Sequence, residues 1–156
     1  MLPEATLQTT LEPYLPTPDR RKVAKVLLVD SDLASRLTLK SLLTKAGYAV
    51  EGAASAAEAV SSLDTHEYQL VLADLRTESD DAGPSLLSFA RQKAYRPATA
   101  LITSDMRELK AETGTTQDAD RVVSVSNEDV SNLLASVAEL ISLRADRRMR
   151  RASHLI

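Results

Sequence analysis

Five short apolar runs separated by stretches of helical spacing constrain this chain more than any other feature. The runs are 24–29 (AKVLLV), 48–53 (YAVEGA), 69–73 (QLVLA, ending in Asp74), 97–102 (PATALI) and 121–125 (RVVSV). Strands that read as nearly unbroken apolar runs are covered on both faces, and strict alternation with helices implies parallel pairing, since a parallel partner is reached only through a crossover. Such crossovers are right-handed. The expected architecture is therefore a three-layer α/β/α sandwich around a five-stranded parallel sheet.

The intervening stretches carry helix punctuation. Asp32 is a candidate cap for a helix bearing Leu33, Leu37, Leu39, Leu42 and Leu43, with Gly47 as its stop. Ser55-Ala56-Ala57-Glu58 reads as a capping box ahead of Ala59, Val60 and Leu63. After Asp74 comes a polar loop (LRTESDDAG), then Pro84 at a plausible first helical position before Leu86, Leu87, Phe89 and Ala90. Residues 105–118 form the least regular helical stretch, interrupted by Gly114 and by Thr113, Thr115 and Thr116. The most regular is the last, where Val130, Leu133, Leu134, Val137, Leu140 and Ile141 share one helical face. Residues 1–23 differ: they hold four of the six prolines and end in Arg20, Arg21 and Lys22, so they read as an extension, with Leu2, Leu7, Leu11, Tyr14 and Leu15 leaving room for a short docking helix.

Composition narrows the function classes. At 156 residues, 44% hydrophobic and 26% charged, the chain has the length of one soluble domain. Without cysteine, disulfide scaffolds, thiol catalysis, iron–sulfur clusters and zinc ribbons are excluded, and a reducing cytoplasm is the expected compartment. No run approaches the roughly 18 apolar residues of a membrane helix, and the N-terminus lacks a signal-peptide pattern. Nineteen basic against 22 acidic residues give a net charge of -3, so nucleic acid would need a local patch. With aromatics at 3% and no Trp, base-stacking platforms lack material.

In a parallel sheet, ligands bind beyond the carboxyl ends of the strands, where the strand order reverses. Asp30, Ser31 and Asp32 follow the first run, Asp74 the third, and Thr103 and Ser104 the fourth. A nucleotide-phosphate loop would need glycines after the first strand, and VDSDLAS has none. Converging carboxylates suit a hard cation such as Mg²⁺, and a carboxylate beside one can accept a phosphoryl group, with Thr103 available to hydrogen-bond it. The plainer alternative is that Asp30 and Asp32 cap a helix and Asp74 merely ends a strand.

In order, the stretches KVLLVDSDLASRLTLKSLLTKAGYAV, SAAEAV with YQLVLADL, PATALITS and ADRVVSVS make the chain resemble the receiver domains of bacterial response regulators, over residues 24 to about 143. That resemblance implies the flavodoxin-like strand order 2-1-3-4-5. It also implies a role in two-component phosphorelay signalling, with Asp74 at the phosphoacceptor position and Asp30 as the first acid of the metal pair. Arg76 would offer its backbone carbonyl to Mg²⁺, and Thr103 would be the switch hydroxyl. A histidine kinase or phosphotransfer protein is the implied donor, a downstream protein the implied target, and a homodimer one expected state. Receivers are signalling modules, so no enzymatic turnover is expected beyond self-phosphorylation at Asp74.

Several positions depart from the family pattern. Ser31 stands where the second acid is usual, which weakens the expected hold on Mg²⁺. Val125 and Ser126 replace a Lys-Pro pair whose lysine would face the acyl phosphate, and Val122 replaces an aromatic switch. One extra residue precedes Gly83. Two versions stay open: a conventional phosphorylated receiver, with Arg76 or Asp32 substituting for what is missing, and a degenerate one acting as a constitutive protein-contact surface.

Two other classes remain as alternatives. A metal-dependent phosphoryl hydrolase of the same layered fold would want a further acid or lysine on the later strands, which Ser124, Val125 and Ser126 do not supply. A nucleic-acid adaptor would use residues 144–151 (RADRRMRR), five Arg and one Asp at the end of the last helix, though no helix-turn-helix accompanies them and such runs are usually solvated. The expected division is an extension over 1–23, a receiver-like domain over 24–143 and an Arg-rich tail over 144–156. The remainder is too short for an output domain, so a stand-alone receiver is expected.

Overall fold

A computed structural model of the chain describes residues 23–74, 82–103, 119–124 and 130–154. The extension before Val23, the loop carrying Arg76, the stretch 105–118, and Val125 and Ser126 lie outside the described residues.

The five expected strands form, each within a residue of its expected bounds: β1 (Lys25–Val29), β2 (Ala49–Ala53), β3 (Leu70–Asp74), β4 (Ala98–Thr103) and β5 (Arg121–Ser124). All pairs are parallel, in the order β2-β1-β3-β4-β5. Among the described residues, four helices accompany them: α1 (Leu33–Lys45), α2 (Ala56–Thr65), α3 (Ala82–Arg91) and α4 (Val130–His154).

Side chains alternate along each strand and separate the core into two layers. Val26, Leu28, Leu70, Leu72, Ala100 and Ile102 pack with α1 and α4 through Leu39, Leu43, Leu133, Val137 and Leu140. Leu27, Val29, Val71, Ala73 and Leu101 face α2 and α3 through Ala59, Leu63, Leu86, Leu87 and Ala90. Each fully buried leucine contributes about 1.5–3 kcal/mol, so the layers hold the sheet from both sides.

Local signals explain the helix ends. Asp32 caps α1, its carboxylate accepting from Ser35 N at 2.9 Å. Ser55 caps α2 by accepting from Glu58 N at 3.1 Å, while Glu58 reaches back to Ala54 N at 2.8 Å, one residue further than the usual box. Pro84 is the third residue of α3, inside the first turn, where a missing N–H costs no helical bond. Gly47 follows α1 with φ of 105°, a left-handed conformation that glycine adopts without strain.

Two features differ from the sequence expectation. Leu33 and Leu37 are 59% and 55% exposed, because α1 turns only Leu39 and Leu43 fully into the core. The Arg-rich stretch is the C-terminal half of α4, which continues to His154, since Arg and Ala are good helix formers. Within it Arg144 is 8% exposed, correcting the expectation of a solvated run at that position.

Candidate functional site

Strand register builds the candidate site. Because β1 and β3 run in register up to Val29 opposite Ala73, the next residues, Asp30 and Asp74, stand at the carboxyl ends of adjacent strands. Asp74 lies opposite Ile102, so Thr103 follows on the neighbouring strand, and Thr103 in turn lies opposite Ser124. Two carboxylates and Thr103 thus stand at the carboxyl edge. Their centre is the β1–β3 boundary, where the strand order reverses.

Burial distinguishes the members. Asp30 and Thr103 are 3% and 2% exposed, Asp74 is half-buried, and Ser31 is exposed. Asp30 is fixed from two sides: its N–H donates to Ala53 O on β2 at 3.0 Å, and its Oδ1 accepts from the nearby Asp32 N at 2.9 Å. Among the described residues no group engages its second oxygen. A buried carboxylate with one oxygen unengaged favours a cation, because desolvation penalises an unpaired charge.

The neighbouring acid plays another part. Asp32 directs a carboxylate oxygen to the first turn of α1, as a helix cap does, while its N–H orients Asp30. Ser31 adds no charge. Among the described residues no group of three or more His, Asp or Glu side chains converges, and the acids at adjacent strand ends are Asp30 and Asp74. Two carboxylates with water and a phosphate oxygen are a donor set that Mg²⁺ accepts. The carbonyl of Arg76 and the positions of Val125 and Ser126 lie outside the described residues. Val122 is half-buried against the layer of α2 and α3, where its small aliphatic side chain supplies no ring.

Arg36 is a site residue that the sequence reading missed. Its Nη1 donates to the Asp30 carbonyl at 2.7 Å, holding the end of β1 from α1. Gly52 on β2 makes this possible, since a Cβ there would come within 3.3 Å of Arg36 Cδ. The available signal was a cation one turn into the helix after Asp32, together with a glycine inside the facing strand.

Comparison with known proteins extends this geometry. No curated protein matches the sequence. Among solved structures, the chain is similar to the signal receiver domain of an HD domain-containing protein from Pseudomonas fluorescens Pf-5, with 25% identity over 87% of this chain and 99% of that one, at a TM-score of 0.72. It is similar to the response regulator TrrA from Thermotoga maritima, solved with Mg²⁺-BeF, at 23% identity, 76% and 99% coverage and a TM-score of 0.67. It is also similar to the receiver domain of a sensor histidine kinase from Pseudomonas aeruginosa PAO1, solved with a magnesium ion coordinated in the active site cleft, at 19% identity, 77% and 98% coverage and a TM-score of 0.67. These likenesses carry the fold, and they favour neither the hydrolase nor the nucleic-acid alternative. Receivers in general exchange signals with histidine kinases or phosphotransfer proteins and are not enzymes. The response regulator receiver domain family model matches residues 26–137, spanning all five strands, and the chain therefore belongs to that family as a receiver module of two-component signalling.

Proposed function

We propose that Asp74 is the phosphoacceptor of this receiver, that Asp30 and Asp74 hold Mg²⁺ weakly together with the Arg76 carbonyl, and that Thr103 is the switch hydroxyl. The observation that carries this reading is the pairing of Asp30 and Asp74 on adjacent strand ends, while the remaining acid, Asp32, is committed to capping α1. Mg²⁺, when bound, supplies neutralisation of the charge that gathers on the transferred phosphoryl group. An Asp74 oxygen forms the new P–O bond as the donor's phosphorus–nitrogen bond breaks, and the donor histidine leaves with its electron pair. Thr103, buried beside Asp74, can then donate to a phosphate oxygen and draw β4 toward it.

Ser31 makes this receiver a poor acceptor, because a hydroxyl replaces a carboxylate at a hard cation. Signalling therefore relies on protein contacts that low levels of phosphorylation bias. The donor is a histidine kinase or phosphotransfer protein, the target a downstream protein, and the compartment the cytoplasm, where such donors act. No helix among the described residues is long and apolar enough to cross a membrane. No turnover is assigned beyond the chain's own modification.

The test is incubation with a small acyl phosphate across a Mg²⁺ series, read by intact mass. Partial modification that rises with Mg²⁺ and vanishes in Asp74→Asn is expected. Equal modification of Asp74→Asn, or none in the wild type at any Mg²⁺ concentration, would overturn the assignment.

A further inference from the structure

The opposite end of the sheet holds a second candidate site. A cavity of about 230 Å³ lies where α3 ends, β4 and β5 begin and α4 passes, lined by Arg91, Arg96, Arg144, Arg147, Arg148 and Asp120. Five arginines and one carboxylate line it, leaving a local excess of positive charge.

Asp120 does not neutralise that charge. Its side chain is 4% exposed and is shared among Thr99 N at 2.9 Å, Arg147 Nη2 at 3.0 Å and Arg91 Nη1 at 3.7 Å. Arg144 forms the floor, donating from Nη2 to Tyr95 O at 2.8 Å and from Nε to Arg96 O at 3.2 Å. Its contacts are carbonyl oxygens, while Glu67 acts on it only through its field, and burial together with Arg148 lowers its pKa. Among the described residues no carboxylate pairs with Arg96 or Arg148, and both are exposed.

The cluster is built rather than accidental. Arg96 has φ of 40°, a left-handed conformation that costs a residue with a Cβ, and the bond from Arg144 to its carbonyl helps hold it there. Free arginines repel one another and disperse into solvent. Here one is buried and a neighbour is held in a strained backbone so that the group converges.

We propose that this cavity binds a small phosphate-bearing anion, inorganic phosphate or a phosphomonoester, through Arg96, Arg147 and Arg148, with Arg144 as the positioning residue beneath. Planar guanidinium forks match phosphate oxygens in bidentate geometry. At 230 Å³ the cavity falls below the roughly 300–1,000 Å³ of sites for drug-sized ligands, so it suits a phosphate headgroup and not a whole nucleotide. A bound anion would join the end of α3, the entry to β4 and the distal half of α4, which the sheet itself does not cover.

The test is calorimetric titration of the full chain with inorganic phosphate and with glycerol phosphate, in EDTA so that no divalent cation brings phosphate to the acidic edge. One saturable site is expected for either ligand, unchanged in Asp74→Asn. The double variant Arg96→Gln, Arg148→Gln should weaken binding by at least about tenfold, as the loss of charge-assisted donors predicts, while its melting without phosphate stays that of the wild type. Heats no larger than those of chloride at equal ionic strength, or an unchanged affinity in the double variant, would overturn the proposal. So would salt-dependent binding of a DNA duplex with which inorganic phosphate does not compete, because that would mark an open nucleic-acid surface.

Discussion

The two ends of this sheet carry opposite charge and are assembled by different means. At the carboxyl edge, Asp30 and Asp74 are delivered by strand register, and the side chain and carbonyl of Asp30 are engaged by groups no more than six residues away, Asp32 N–H and Arg36, while its own N–H reaches Ala53 on β2. At the amino edge, the decisive bonds span 21 residues between Thr99 and Asp120 and 48 to 49 between Arg144 and the carbonyls of Arg96 and Tyr95. The residues of the acidic edge are therefore marked by short motifs at strand ends, although strand pairing brings them together. The basic end exists only once distant elements have packed.

That difference has energetic consequences that can be measured. Asp120→Ala should have the largest effect, about 2–3 kcal/mol by chemical denaturation, because it leaves Thr99 N–H without its carboxylate acceptor inside the fold. The Arg91 and Arg147 side chains are 42% and 47% exposed, so solvent screens most of their loss and adds little to that figure. A cost near zero would mean that the basic end is not a structural unit.

Arg144→Met keeps most of the buried stem but strips the donors from two carbonyls, and about 1–2 kcal/mol of stability should go with them. At the other end, Asp32→Ala should cost about 1 kcal/mol through the lost cap of α1, with Mg²⁺ affinity unaltered. A change in Mg²⁺ affinity would give Asp32 the metal-ligand role instead.

The smallest effect is on alkaline stability. Burial first, then Glu67 and Asp64, pushes the Tyr95 phenol from 10.0 up to about 12, and its hydroxyl donates to Leu63 O at 3.0 Å. The folded state therefore holds this proton more tightly than the unfolded chain. The stabilisation it provides is complete below pH 10 and is lost as pH rises toward 12. Tyr68, hydrogen-bonded to Glu51 and raised mainly by burial, acts in the same direction. In Tyr95→Phe the decline of melting temperature between pH 10 and 12 should be shallower than in the wild type.

Most of the layered fold is legible in the sequence because its signals are local. The apolar runs around Val26–Val29 and Leu70–Ala73 match strands buried on both faces, and Ser55 with Glu58 marks the start of α2. Asp30, Asp74 and Thr103 stand out by position alone, being polar residues at the ends of apolar runs. Arg36 did not, since its task depends on the open space at Gly52 across a strand pairing. Arg144 was obscured by its charged neighbours, although Leu133, Val137, Leu140 and Arg144 keep the four-three-four spacing of a buried helical face. Its position in that series was the available signal, and the partners that make burial tolerable are backbone carbonyls that no side-chain pattern announces.

Mg²⁺ affinity at the carboxyl edge tests most directly whether this is a receiver phosphorylation site whose hold on the cation is weakened by Ser31. Measured by calorimetry on the wild type and Ser31→Asp, restoring the second acid should tighten Mg²⁺ binding by roughly tenfold, or about 1.4 kcal/mol, and raise the extent of Asp74 modification by an acyl phosphate. An affinity unchanged by Ser31→Asp would contradict a cation held by Asp30 and Asp74 beside residue 31.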